Sequence, residues 1–124
     1  MRRLGIGLIV GLLIGTVWVG WAQPTGQANY PTYDRTNITT NTTTSPLTSD
    51  GVLHTVCINN AGATGNIASL YDDPDSADTI FAVIDTVELN GRCLLYDLAL
   101  DNGLTIVTAT GTAADLTVTW RNLR

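Results

Sequence analysis

Asp72, Asp73, Asp75 and Asp78 place four carboxylates within the seven residues from Asp72 to Asp78. Carboxylate oxygens are the ligands that Ca²⁺, a hard cation, prefers, so the cluster is a calcium candidate. Its spacing departs from an EF-hand loop, which needs Gly and Glu at fixed places. The other reading is a solvated acidic turn, in which Asp and Pro74 serve the backbone and charge keeps the loop in water.

Cys57 and Cys93 are the two cysteines of the chain. In an oxidising compartment an even count favours a disulfide, provided the two Cα atoms come within about 7 Å. Two free buried thiols are the alternative. A zinc site is short of ligands, because two cysteines and the single histidine, His54, do not complete a four-ligand set without a carboxylate. His54 falls on the face of Val56 and Ile58 in the strand expected around it. A histidine so placed is more often a hydrogen-bonded core or rim residue than a general base. No serine sits in a nucleophile elbow, and Gly62-Ala63-Thr64-Gly65 lacks the lysine and following helix of a phosphate loop. The sequence thus assigns no catalytic residue, no cofactor and no enzymatic activity.

The elements that must carry these side chains read as strands. A first is expected at Asn37–Thr43, where threonine dominates. Six more follow at Val52–Asn59, Asn66–Asp72, Thr79–Thr86, Arg92–Leu100, Leu104–Thr110 and Asp115–Arg121. Alternation is clearest at the end, where Leu116, Val118 and Trp120 oppose Asp115, Thr117, Thr119 and Arg121. Arg92–Leu100 repeats the pattern, with Leu94, Tyr96, Leu98 and Leu100 inward and Cys93, Asp97 and Ala99 outward. Asn59-Asn60-Ala61-Gly62, Asn90-Gly91 and Asp101-Asn102-Gly103 are turn sequences that accept positive φ. After residue 23 no stretch carries a helical period. The expected fold is all-β: a single antiparallel β-sandwich of about seven strands over residues 36–124, with a jelly roll as one arrangement.

Residues 1–22 are of another kind. Arg2 and Arg3 precede an uncharged apolar run from Leu4 to Val19, and Gly20-Trp21-Ala22 sets small residues before Gln23. That order describes a hydrophobic signal helix cleaved before Gln23, and hence an exported, extracellular or surface protein. The rival reading is a retained membrane anchor, since the run nearly reaches the ~20 residues of a bilayer span. Gly7, Gly11 and Gly15 would then line one helix face suited to close packing. In that case alone would the protein meet a membrane. Residues 23–35, with Pro24, Gly26 and Pro31, read as a linker.

All six basic residues are arginines, and the net charge is −5. Loss of Arg2 and Arg3 would make the remainder more acidic. Nucleic-acid binding needs a basic footprint, so it is excluded as an expectation.

Five segments together resemble a group of small phage-encoded proteins: GVLHTVCINNAG (51–62), NIASLYDD (66–73), IFAVIDT (80–86), LLYDLAL (94–100) and GLTIVTATGTAADLTVTWR (103–121). That group carries a G-x-L-H-x-x-x-I-N strand, a Tyr-Asp turn, an Ile-Asp-Thr segment and a closing GLTIVT…AD pair. The resemblance spans Thr36 to Arg121. It implies a jelly-roll-like β-sandwich subunit associated with virions, such as a capsid decoration, fibre or tail component. It marks no catalytic or ligand-binding residue. The signal-type start, the two cysteines and the extra aspartates depart from the group's pattern.

Two classes of function are expected. One is a non-enzymatic structural subunit of a virion or extracellular surface assembly, whose partners are copies of itself or other subunits. The other is a secreted ligand- or carbohydrate-binding module. Sugar binding usually needs an aromatic platform, whereas Trp120, Phe81, Tyr71 and Tyr96 mostly fit core positions. For self-association the expected edge is Asn37, Ile38, Thr39, Thr40, Asn41, Thr42 and Thr43, a polar, β-prone, uncharged run without lysine or proline.

Overall fold

The computed structural model describes residues 31–76, 79–109 and 111–123. The signal or anchor segment, 1–22, and linker residues 23–30 lie outside the described residues, as does Asp78. Eight strands form: β1 Asp34–Ile38, β2 Thr43–Leu47, β3 Gly51–Asn60, β4 Ile67–Tyr71, β5 Ile80–Asp85, β6 Cys93–Leu100, β7 Leu104–Ala109 and β8 Asp115–Asn122. They make two four-stranded sheets. The first has the order β1-β8-β3-β6, the second β2-β7-β4-β5. Every pairing is antiparallel. Among the described residues there is no helix.

Each strand sends at least one apolar side chain into a shared core. Ile38, Leu47, Leu53, Leu70, Ile84, Leu100, Ile106 and Leu116 are all buried, one from each of the eight strands. Burying such a side chain is worth about 1.5–3 kcal/mol, so the period of two becomes a two-sheet fold with one interior. Trp120 and Tyr96 pack partly buried against this core. The Trp120 indole N–H donates to the Thr36 hydroxyl at 3.3 Å, which satisfies the polar tip.

Six strands stand within one or two residues of their expected positions. The expected strand Asn37–Thr43 does not form as one element. Ile38 ends β1, Thr43 begins β2, and Thr39–Thr42 carry the chain from the first sheet to the second. Hydrogen bonds hold that corner. Asn41 Nδ2 donates to Gly111 O at 2.6 Å, and the Thr108 hydroxyl donates to Thr40 O at 3.0 Å. The count is therefore eight strands rather than seven, and β1 begins at Asp34, inside the expected linker.

A second corner lies between β6 and β7. Gly103 has φ 146°, and a Cβ there would stand 2.6 Å from Leu47 O. Only glycine accepts both the backbone angle and the close approach.

Candidate interaction surfaces

The two outer faces of the fold differ in chemistry. On the first sheet, Arg35 of β1 stands opposite Thr119 of β8, which stands opposite Thr55 of β3. The Thr55 and Thr119 hydroxyls bond each other at 2.6 Å. Asn59 Nδ2 donates to Asp115 Oδ1 at 3.0 Å and to Thr117 Oγ1 at 2.8 Å. Cys57 and Cys93 are direct cross-strand partners of β3 and β6, and they form a disulfide with Cα atoms 3.9 Å apart. Alternation puts both cysteines on the non-core face, and the register of β3 beside β6 sets them opposite each other.

His54 lies at an irregularity rather than on the face of Val56 and Ile58. The register of β3 shifts between Leu53 and Thr55 against both neighbours. A bulge of this kind re-aims one side chain. Leu53 and Val56 both point inward, while His54 is half-buried and turned outward. Its Nδ1 pairs with the carboxylate of Asp97, which has φ 46° in the matching irregularity of β6. The Tyr33 ring stacks on the imidazole at 4.1 Å between centroids. Tyr33, His54 and Asp97 thus link the residues before β1 to the β6 edge. The three side chains fasten the segment before β1, β3 and β6 to one another.

The outer face of the second sheet mixes aliphatic and polar side chains. Its registers set Ala109 beside Ile67 beside Asp85, Val107 beside Ser69 beside Val83, and Thr105 beside Tyr71 beside Ile80. Ile67 is 37%, Ile80 43% and Val83 58% exposed. Thr105 is buried and bonds the Ser45 hydroxyl at 2.7 Å.

The acidic loop is used by the backbone. The Asp72 carboxylate accepts N–H bonds from Asp101 (3.2 Å), Asn102 (3.0 Å) and Gly103 (3.4 Å), which ties the end of β4 to the β6–β7 turn. Asp73 Oδ1 accepts from Asp75 N at 2.7 Å. Among the described residues no three His, Cys, Asp or Glu gather as a metal site. Asp72 and Asp73 thus act as acceptors for backbone N–H groups, as the turn reading expects; Asp78, the fourth carboxylate of the calcium candidate, lies outside the described residues.

The edges of the sheets are β1, β6, β2 and β5. Asn37 and Ile38 are on an edge as expected, but Ile38 points into the core at 3% exposure. Thr39–Thr42 are the corner described above, and Thr43 opens β2. Three edges carry guards against a stray strand. β1 bears Asp34 and Arg35, β2 holds Pro46 and a register shift, and β6 holds the irregularity at Asp97. β5 (Ile80–Asp85) ends in a charge, Asp85, and shifts register against β4 at Phe81, but its Ala82–Ile84 stretch is regular and holds no proline or charge; its edge position is not legible in the sequence. At the same side of the fold Phe81 meets Tyr96 edge-on at 6.3 Å, and burial raises the Tyr96 pKa above its ordinary value.

No protein-family model matches the chain, and no curated protein matches its sequence significantly.

Proposed function

We propose that this chain is a non-enzymatic structural subunit, of jelly-roll type, in a virion or extracellular surface assembly. The observation that carries the reading is the pair of strand orders, β1-β8-β3-β6 and β2-β7-β4-β5. That interleaving of eight antiparallel strands in two sheets is the plan of jelly rolls, which recur in viral capsid and lectin domains. The resemblance of residues 36–121 to phage-encoded virion proteins supports the same reading. A disulfide is compatible with an oxidising compartment and so with export. Exposed Ile67, Ile80 and Val83 on the second sheet offer contact area to neighbouring subunits.

The lectin branch of the same architecture supports a second reading, a secreted ligand-binding module. Arg35, Asn37 and Thr117 line a depression of about 380 Å³ on the polar face. Light scattering of the purified protein over a concentration series separates the two. Assembly predicts a mass that grows with concentration. A strict monomer at high concentration rejects the assembly reading and moves ligand binding ahead, to be pursued with an oligosaccharide panel.

A further inference from the structure

We propose that two copies of this chain join through β5, pairing antiparallel about a two-fold axis at Val83 so that their second sheets become one eight-stranded sheet. The inference rests on the assembly reading and names the surface and partner that reading leaves open.

Backbone geometry supplies the first argument. Thr86 N donates to Asn66 O at 3.2 Å, in step with the register that sets Ala68 opposite Ile84 and Leu70 opposite Ala82. Bonded and non-bonded pairs alternate along antiparallel strands. Ile84 and Ala82 therefore turn their amides toward β4, while Val83 and Asp85 turn theirs toward the open edge. A two-fold at Val83 makes Val83 and Val83 of the second copy a bonded pair. It sets Asp85 N–H against the Phe81 carbonyl of the second copy.

The side chains agree with that register. Residues directly opposite must point to the same face. Val83 meets its own counterpart on the outer face, and Ala82 meets Ile84 of the second copy on the core side. An axis placed between Ala82 and Val83 would pair an inward with an outward residue. The two Asp85 carboxylates stand about 13 Å apart at ~3.3 Å per residue, beyond the Debye length of ~8 Å in physiological salt. Ile67, Ile80 and Val83 of both copies then form one apolar stripe. Val83 is the most exposed of the large apolar residues on the second sheet, at 58%.

The other edges argue for β5 by contrast. β5 has a charge of its own, Asp85, and a register shift at Phe81, but both flank the Ala82–Ile84 stretch at the axis, whereas Pro46 interrupts β2 and the irregularity of β6 falls within the strand.

The test uses the full chain in mild detergent, so that the N-terminal segment is the same in every sample. Val83→Lys puts a charge at the axis, opposite its own copy. It should weaken association by about tenfold or more, since like charges directly opposite are destabilising and edge lysines block pairing. Circular dichroism and an intact Cys57–Cys93 bridge check that the variant folds. Val83→Cys should form an intermolecular disulfide under mild oxidation, because bonded antiparallel pairs have Cα atoms ~5.5 Å apart, within disulfide reach. Asn37→Cys, on β1, should not. An oligomer that survives Val83→Lys, with no Val83→Cys crosslink, overturns the β5 proposal and leaves the assembly reading standing. A wild-type chain that is monomeric throughout overturns both.

Discussion

The outer face of the first sheet ties most of its polar side chains to one another and leaves one aliphatic side chain, Leu95 at 67%, largely in water, whereas the second sheet leaves three there. On the first, Thr55 bonds Thr119, Asn59 bonds Asp115 and Thr117, His54 pairs with Asp97, and Cys57 is covalently joined to Cys93. On the second, Ile67, Val83 and Ile80 stand in neighbouring rows with large parts of their surface in water. Polar pairs across strands hold a register without a partner chain. Exposed aliphatic side chains contribute little until something covers them. The difference is that cross-strand pairs hold the first face in register, whereas the second face keeps more aliphatic surface in water, and that surface is the one the assembly proposal uses.

The largest effect expected from this contrast is on the first face. Replacing Cys57 and Cys93 by alanine removes a bridge that spans 36 residues of sequence. In the chain-entropy account that costs on the order of 3–4 kcal/mol. Urea unfolding of wild type with and without reductant, beside the double alanine variant, measures it. If reduction leaves the midpoint unchanged, the hydrogen bonds of that face hold β3 against β6 without the bridge.

Much of this contrast was legible in the sequence. Period-two segments such as Asp115–Arg121 have one answer, because sliding by one residue would bury threonine and expose leucine. The same parity puts Cys57 and Cys93 on the non-core face, while their pairing also needs β3 beside β6, which parity does not specify. Two features were not legible. Nothing in Asn37–Thr43 marks a corner, because threonine suits a strand as well as the bend that Asn41 and Thr108 hold through distant partners. The irregularity at His54 depends on the counterpart at Asp97, 43 residues on, so no local pattern announces it. β5 was located, but its edge position is a matter of strand order, which parity does not specify.

A smaller effect is expected at the seam between the sheets, where Asp72 holds the β6–β7 turn. Asp72→Ala deprives the N–H groups of Asp101, Asn102 and Gly103 of a charged acceptor. Water replaces it in part, so the loss should be about 1–2 kcal/mol. A melting-temperature measurement reads it directly. The acidic run was visible in the sequence, but its partners were not, since the turn it serves lies about thirty residues on. Calcium provides the opposing outcome: a rise in melting temperature on adding millimolar CaCl₂, lost in Asp72→Ala, would return Asp72 to the role of metal ligand.

The smallest effect on subunit stability is expected where the apolar surface is most open. Ile67→Thr with Ile80→Thr keeps a β-branched side chain at each site, so strand preference is preserved. Neither side chain belongs to the buried core or packs against it. Their replacement should change unfolding free energy within about 0.5 kcal/mol, as surface substitutions usually do. The measurement belongs at low protein concentration, because stability that comes from association varies with concentration. At high concentration the same variant should associate less than wild type, separating what the face does for the subunit from what it does between subunits. A loss above about 1 kcal/mol at low concentration would mean that the face is covered within the single chain. The contrast between the two faces would then fail, and the second sheet would need a different partner from a second copy.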